Sequence, residues 1–426
     1  MTMTRKILRL ALPVMGENLL QMLMGVVDSY LVAQLGLIAV SGVSVANNII
    51  TLYQALFIAL GAAISSLIAK SRGQRNEAQT LTYEADALSL TIIVSLLLGL
   101  ISLFLGVPIL EFLGADKVVS VVGGDYLAIV GGGILSLGLF TTLSAFMRAL
   151  GKARLPLYIS LLINICNALL SALAVFVLNW GILGVAWATI FSRTLGVFLL
   201  ASQLPIKTIV GRVRLRIDKN LIELALPSAA ERLMMRAGDI VVVAIIVRFG
   251  TEVVAGNAIG ETLSQFNYMP GMGVATATVI LVAHSLGEQN YQAIRELVKK
   301  SYLISAIFML VISSSSYLLG PFLTSLFTEN AGAIQASLVV LLYSFLGSLA
   351  TAGTLIYTAT WQGFGNAELP FYATSFGMWF IRIAFGYLLG IVFNMGLTGV
   401  WLATLMDNIF RWTYLHYKYN KYMNRN

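Results

Sequence analysis

Twelve long apolar segments dominate the sequence, and each is long enough to cross a lipid bilayer as a helix. They lie near residues 8–33, 44–69, 85–106, 121–147, 156–178, 182–204, 222–247, 253–284, 301–319, 335–360, 371–393 and 397–417. The composition agrees, because 58% of the 426 residues are hydrophobic and only 11% are charged, against about 25% charged in a soluble domain. The sequence therefore predicts an all-α polytopic membrane protein with twelve transmembrane helices.

The basic residues are distributed unevenly between alternate loops. If the amino terminus lies in the cytoplasm, the outer loops hold only Lys117 and Arg248. The inner loops and termini then hold Arg5, Lys6, Arg9, Lys70, Arg72, Arg75, Arg148, Lys152, Arg154, Lys207, Arg212, Arg214, Arg216, Lys219, Arg295, Lys299, Lys300, Lys418, Lys421 and Arg425. Because positively charged loops stay on the cytoplasmic side, we expect a bacterial inner-membrane protein with both termini inside. The net charge of +8 then reflects topology rather than nucleic-acid binding.

The chain repeats itself at an offset of about 214 residues. Matching pairs include Ala11-Leu12-Pro13 with Ala225-Leu226-Pro227, Glu17 with Glu231, Leu35-Gly36 with Phe249-Gly250, and Gly151 with Gly365. Because each repeat holds an even number of helices, both halves enter the membrane in the same direction, related by a pseudo-twofold axis along the membrane normal. The sequence thus predicts six-helix lobes at 1–204 and 221–426, a cytoplasmic linker at 205–220, and substrate binding between the lobes.

The first apolar segment carries two acids, Glu17 and Asp28, with nothing basic between them. At about 100° per residue they project from nearly the same face, about 16 Å apart along the axis, and Gln21 joins that face. An ionised carboxylate in hydrocarbon is costly, so we expect this face to line a watery cavity. The alternative is that one acid lies near a membrane surface and is simply hydrated.

These residues make the chain similar to the multidrug and toxic compound extrusion (MATE) transporters, and in particular to their DinF-like branch. The resemblance covers essentially the whole chain and includes Pro13 with Asp28, the Gly73-Gln74 loop, Asn164 and Asn167, Pro227 to Arg236, and Gly377 to Arg382. It implies a monomeric antiporter in membrane lipid that exports amphiphilic, often cationic compounds by alternating access in exchange for protons or sodium. It also implies that Asp28 couples the cation, that helix 1 bends near Pro13, and that no cofactor is needed.

Two departures from the family pattern bear on the coupling ion. Asn167 is followed by Ser171 where the branch often has an aspartate, and residues 335–360 carry no charge at all. Sodium would be left with Asp28 and neutral oxygens, from Asn167, Ser171 and Thr189, which is a thin ligand set for a hard cation. A carboxylate removed from water can instead bind and release a proton near neutral pH. We therefore favour proton coupling and keep sodium coupling as the alternative.

Several other charged residues inside the predicted helices suggest gating or bracing ion pairs. The pairs that we predict are Arg236 with Asp239, Arg193 with Glu17, and Arg411 with Glu231. For Glu231 and Asp239, contact with the substrate is an equal alternative. Helix 8 adds Glu261.

Pro270 and a set of soft side chains are further candidates. Pro270 predicts a break in helix 8 that would allow bending, with a static kink as the alternative. Candidate substrate contacts are Gln21, Tyr357, Trp361 and Met378, because aromatic faces attract cations and methionine adapts its shape. Ordinary packing or contact with lipid is the alternative for the aromatic and methionine side chains.

Other function classes fit the sequence less well. It shows no nucleotide-binding P-loop, no His/Cys set at metal-ligand spacing and no nucleophile elbow, so we do not expect an enzyme or a resident metal. A channel would not need duplicated lobes with kinked helices. The nearest alternative is a flippase for lipid-linked precursors, which would need a cavity rich in arginine and lysine for the pyrophosphate.

Overall fold

The computed structural model describes residues 2–213 and 217–425, and each of the twelve predicted segments forms a long helix. These helices are α1 (Met3–Ala33), α2 (Leu37–Gly73), α3 (Glu77–Phe112), α4 (Lys117–Val130 and Leu135–Ala149), α5 (Arg154–Phe176), α6 (Gly181–Ala201), α7 (Lys219–Ile246), α8 (Thr251–Gly287), α9 (Tyr291–Leu318), α10 (Ala331–Leu346 and Ser348–Gly363), α11 (Glu368–Val392) and α12 (Gly396–Met423). Short helices occupy Ile206–Val210, Val247–Phe249 and Gly320–Ser325. Arg214 and Arg216 of the predicted linker lie outside the described residues.

Most of these helices are long and apolar enough to span a membrane. Within the described ranges, eight satisfy this requirement alone, and α4 and α10 bring the number to ten if each bent pair counts as one span. The remaining two, α7 and α12, carry charged residues in their interiors, which lowers their hydropathy. The predicted class, an all-helical polytopic membrane protein, is confirmed.

The internal repeat is also visible in the backbone conformation. Five pairs of residues at offsets of 214 or 215 have nearly identical positive φ angles. These are Gly36 and Gly250 (101° and 102°), Arg75 and Gln289 (57° and 56°), Gly151 and Gly365 (79° and 82°), Asn179 and Asn394 (53° and 55°), and Gly181 and Gly396 (58° and 59°). Left-handed conformations are uncommon outside glycine, so equal angles at equivalent turns indicate that both halves descend from one structural unit.

Contacts divide the chain into two compact units. The amino-terminal unit is Gly16–Ala225, and the carboxy-terminal unit is Met1–Met15 with Leu226–Asn426. The first turns of α1 thus belong with the second half of the chain, which the predicted lobes at 1–204 and 221–426 did not anticipate. Gly273 of α8 explains the contact, because a Cβ there would lie 2.5 Å from Met15 Cγ and 3.0 Å from the carbonyl oxygen of Ala11.

Local irregularities in two helices position the charged side chains. In the amino-terminal unit, α4 bends by 46° at Gly131-Gly132-Gly133, with Tyr126 before the bend and Arg148 after it. In the carboxy-terminal unit, α11 contains a π-helical turn at Gly377–Ile383 that carries Arg382. Such turns are frequent at functional sites because they shift the direction of the side chains that follow.

Helix α8 continues through Pro270, so the predicted break is absent. The residue after it, Gly271, packs closely, since a Cβ there would lie 2.6 Å from both Leu355 Cδ1 and Met309 Sδ. Packing by the neighbouring side chains therefore stabilises the helical backbone at the position where proline cannot donate a hydrogen bond. Bending at this point during transport stays a prediction.

Candidate functional site

The amino-terminal unit places Asp28 of α1 beside Arg193 of α6 and Tyr126 of α4. The three polar groups interact electrostatically with one another. Asp28 Oδ1 and Arg193 Nη1 are both inaccessible to solvent, and neither has a hydrogen-bond partner. A buried charged atom without a partner carries a large desolvation penalty, and such groups mark functional positions inside membrane proteins.

The neutral residues predicted to accompany Asp28 are also buried, on α5 and α6. The Ser171 hydroxyl donates to Asn167 Oδ1 at 3.2 Å, and the Thr189 hydroxyl donates to the carbonyl oxygen of Val185 in its own helix at 3.0 Å. Both hydroxyl protons are thus used in hydrogen bonds to groups other than Asp28. Their role in cation coupling stays a prediction.

Glu17 forms an ion pair with Arg148, not with Arg193 as the sequence suggested. Arg148 Nη1 donates to Glu17 Oε2 at 3.0 Å, and both side chains are largely buried. The pair uses one oxygen only, because Glu17 Oε1 and Arg148 Nε have no hydrogen-bond partner. The prediction failed because Arg193 lies near Asp28, about three turns of α1 away from Glu17.

The carboxy-terminal unit contains a more extensive ionic cluster centred on Asp407 of α12. Arg411 Nε and Nη2 donate to the two Asp407 oxygens, each at 2.9 Å. Arg382 Nη2 of α11 lies 2.9 Å from Asp407 Oδ2, and Arg382 Nη1 lies 3.6 Å from Asp239 Oδ1. Asp407 is fully buried, whereas the Asp239 side chain is 45% exposed. The arginines of the cluster are therefore neutralised mainly by Asp407.

This cluster corrects two predicted ion pairs. Asp239 forms its salt bridge with Arg382, and the predicted partner Arg236 interacts with it electrostatically without a salt bridge. Arg411 is bound to Asp407 within its own helix, so it acts on Glu231 only electrostatically. Glu231 instead accepts a hydrogen bond of 2.9 Å from the Thr374 hydroxyl.

The predicted substrate contacts of the carboxy-terminal unit are packed inside the protein. Tyr357 packs edge-on against His416 and Tyr419, and Trp361 Nε1 donates to the carbonyl oxygen of Leu415 at 3.3 Å. Met378 is 1% exposed and fills the space beside Gly238 of α7. The packing alternative describes these three side chains in this conformation, and their contact with substrate stays a prediction.

Gln21 is the one predicted substrate contact that keeps an exposed side chain. Its Oε1 accepts a hydrogen bond from Gln54 Nε2 of α2 at 3.3 Å. The amide pair lies on the α1 face that the two acids share, so Gln21 remains a candidate substrate contact.

Sequence reasoning missed Tyr126, Arg148 and Asp407. Arg148 was assigned to a basic loop flank, although it lies in the last turn of α4. Asp407 stands four residues before Arg411 in an apolar segment, and this spacing signals a helical ion pair. Tyr126 gave no local signal, because a single tyrosine in an apolar helix is common near membrane interfaces.

The two units therefore differ in chemistry despite their common backbone. The amino-terminal unit has a buried carboxylate oxygen, Asp28 Oδ1, that has no hydrogen-bond partner. In the carboxy-terminal unit, Asp407 and Asp239 form salt bridges with arginines, and Glu231 accepts a hydrogen bond from Thr374. The amino-terminal unit is the better candidate for a site that changes its charge during a transport cycle.

Known proteins resemble this chain over its whole length. The MatE family model matches residues 13–173 and again residues 227–388, at the offset of the internal repeat. A protein of Thermotoga maritima named "Probable multidrug resistance protein NorM" is 25% identical, with 96% of this chain and 90% of that protein covered. The "Uncharacterized transporter YisQ" of Bacillus subtilis is 23% identical, with 95% and 91% covered.

Solved structures share the fold. One described as MATE in the bent conformation matches with a TM-score of 0.93 at 21% identity, covering 100% of this chain and 96% of that one. Another, described as MATE in the straight conformation, matches with a TM-score of 0.91 at 21% identity, covering 100% and 98%. Since the family consists of transporters, the expectation of a membrane transporter rather than an enzyme is confirmed. The chain belongs to the MatE family of multidrug and toxic compound extrusion transporters.

Proposed function

We propose that this protein is an antiporter that exports amphiphilic, cationic organic compounds in exchange for protons by alternating access. The observation that carries the proposal is the buried Asp28 Oδ1, which has no hydrogen-bond partner. Glu17, Glu231 and Asp407 are each engaged by a hydrogen-bond donor. Among these acids of the helices, Asp28 is thus the one best suited to change protonation state.

The protein relatives support an organic substrate. The matching proteins of Thermotoga maritima and Streptococcus pneumoniae are both named probable multidrug resistance proteins. Glu17 is paired with Arg148 and Arg193 lies beside Asp28, so this region of the helices carries no net positive charge only while Asp28 is ionised, which is the state that would admit a cationic compound. The bacterial plasma membrane, with both termini in the cytoplasm, follows from the distribution of basic residues in the loops.

In the proposed cycle, Asp28 binds a proton on the outer side and loses it to the cytoplasm. A proton and a cationic drug then compete, because protonation of Asp28 leaves the positive charge of Arg193 uncompensated, and that charge repels the drug. Thermodynamic linkage makes this competition reciprocal. The inward proton gradient thereby drives release of the drug outside.

A flippase for lipid-linked precursors is the weaker alternative. It would need unoccupied arginines to bind a pyrophosphate. Arg382 and Arg411 of the carboxy-terminal unit both donate to Asp407. Arg193 of the amino-terminal unit has an unpartnered Nη1, but it supplies a single charge and lies beside the Asp28 carboxylate. Binding of a polyprenyl pyrophosphate in preference to an organic cation would favour the flippase.

Transport into inverted vesicles tests the function and the coupling ion together. The sample is either inverted membrane vesicles or purified protein reconstituted into lipid vesicles. Uptake of a fluorescent organic cation is then measured under an imposed pH gradient or an imposed sodium gradient. We expect uptake with the pH gradient alone and loss of uptake when a protonophore collapses it. Uptake that requires sodium would contradict proton coupling, and no uptake under either gradient would contradict export of organic cations.

A further inference from the structure

The surroundings of Asp28 do not fit a sodium ion, although sodium is one of the two coupling ions that the family resemblance implies. A sodium site needs several oxygen ligands and a net negative charge around them. Here the oxygens of Asn167, Ser171 and Thr189 are neutral, so they add no negative charge to that of Asp28. The second carboxylate of α1, Glu17, is held by Arg148 at 3.0 Å.

A positive charge already lies beside the Asp28 carboxylate, which is the group that a sodium ion would bind. Arg193 of α6 interacts electrostatically with Asp28 and with Tyr126. Its Nη1 is solvent-inaccessible and has no hydrogen-bond partner, so this part of the guanidinium is not engaged by another group of the protein. Because arginine stays charged in proteins, the carboxylate and the guanidinium sum to zero when Asp28 is ionised.

We propose that Arg193 is a tethered cation that takes the place of a metal ion beside Asp28 and so excludes sodium from the amino-terminal unit. This inference rests on the proposed function, because it names the reason why the same site uses protons. A mobile sodium ion would meet a like charge beside its only carboxylate ligand, with little water to screen the repulsion. A proton meets no such barrier, because it forms a covalent bond to the carboxylate oxygen and leaves no separate ion in the site.

The structure also indicates what happens when Arg193 loses its charge. Asp28 would become an unneutralised buried carboxylate, with the oxygens of Asn167, Ser171 and Thr189 on the neighbouring helices α5 and α6. A buried charge that loses its partner either becomes protonated or acquires a counter-ion. Removal of the guanidinium should therefore create a sodium site that the natural chain does not have.

Direct sodium binding tests this proposal without depending on transport. Equilibrium binding of radioactive sodium would be measured on the purified full-length protein in lipid nanodiscs at a pH above neutral. The variants are Arg193→Gln and Arg193→Met, which remove the charge but keep much of the side-chain volume, and Arg193→Lys, which keeps the charge. Thermal unfolding of each sample shows which variants are folded.

We expect no saturable sodium binding by the wild type or by Arg193→Lys. Arg193→Gln or Arg193→Met should bind sodium at least about tenfold more tightly than the wild type. A tenfold change in affinity corresponds to about 1.4 kcal/mol, which is less than the repulsion energy expected from a nearby like charge in a poorly hydrated site. Adding Asp28→Asn to either variant should abolish the binding. A purely structural role for Arg193 would lower the unfolding temperature but would not create a sodium site.

Two results would overturn the inference. One is saturable sodium binding by the wild type that Asp28→Asn removes. The other is the absence of sodium binding by Arg193→Gln and Arg193→Met when both variants are folded. If neither variant folds, export by the wild type is measured with and without sodium, and stimulation by sodium would contradict the inference. Wild-type export under a pH gradient is measured in parallel, so failure of the tethered cation is distinguished from failure of the antiporter proposal.

Discussion

Arg148 Nη1 donates to Glu17 Oε2 at 3.0 Å, so that the carboxy-terminal half of α4 is linked to α1 by an ion pair between residues 131 positions apart. Glu17 and Asp28 lie on the same helix, but only Glu17 has a cationic partner within hydrogen-bond distance. The two acids of α1 therefore differ in their surroundings, and this difference supports the proposal that Asp28 rather than Glu17 changes its charge.

Reversing the charges of the Glu17–Arg148 pair tests whether it is a true interaction. Glu17→Arg or Arg148→Glu alone leaves like charges buried together, which we expect to destabilise the protein by about 3–5 kcal/mol. The double variant should recover stability and export, giving a coupling energy of about 0.5–3 kcal/mol. The measurements are unfolding temperature in detergent and export from vesicles. Losses that simply add would show that the two side chains do not act as a pair.

Asp28→Asn tests the residue on which the proposed function depends. The amide keeps the shape of the side chain but cannot change its charge, so we expect intact folding, retained drug binding and loss of gradient-driven export. Wild-type drug affinity should fall on acidification because proton and drug compete, whereas the affinity of the variant should be independent of pH. Binding of a fluorescent cation across a pH series measures both. Undiminished export with unchanged pH dependence would exclude Asp28 as the coupling group.

Asp407→Asn should be among the more destabilising single changes in the carboxy-terminal unit. Asp407 is fully buried and holds two arginines at 2.9 Å, so its neutralisation leaves their charges without compensation, at a cost of about 3–5 kcal/mol. Asp239→Asn is the matched control, because its carboxylate is 45% exposed and lies 3.6 Å from Arg382, which predicts a loss below about 1 kcal/mol. Thermal unfolding of both variants measures these losses of stability. Equal losses for Asp407→Asn and Asp239→Asn would contradict the central position of Asp407 in the cluster.

Pro270→Ala tests whether α8 must bend. The substitution restores a backbone N–H that can donate to the carbonyl oxygen of Phe266, four residues earlier, and so stiffens the helix. If bending is part of the cycle, export should fall several-fold while the protein still folds. Pro108→Ala, in the interior of α3, is the matched control and should export normally. Normal export by Pro270→Ala would instead show that Pro270 is a static feature of α8 and that bending there is not part of the cycle.

The helices and the duplication could be predicted from the sequence because they depend on local patterns. Apolar length predicts a spanning helix, and matches such as Pro13 with Pro227 reveal the repeat. The pairing of charges could not be predicted, because it depends on where each helix bends and turns. Arg193 was assigned to Glu17 although the fold places it beside Asp28, and the salt bridge of Asp239 comes from Arg382 of another helix and not from Arg236 of its own.

The division of the chain was predicted only in part for the same reason. A linker with basic residues indicates where one repeat ends, but not which neighbours the first turns of α1 prefer. Gly273 leaves room for Met15, and only the folded backbone shows that these two residues meet.

The five pairs of matching left-handed residues have a consequence for how the two halves diverged. The turns of both halves kept the same backbone conformation, even where Arg75 corresponds to Gln289, while their buried charges became different. After the duplication, one copy was thus free to keep a carboxylate with an unoccupied oxygen, and the other was free to tie its acids to arginines. Two repeats in one chain can acquire such different side chains independently. A symmetric dimer of single repeats cannot, because every substitution in it appears twice.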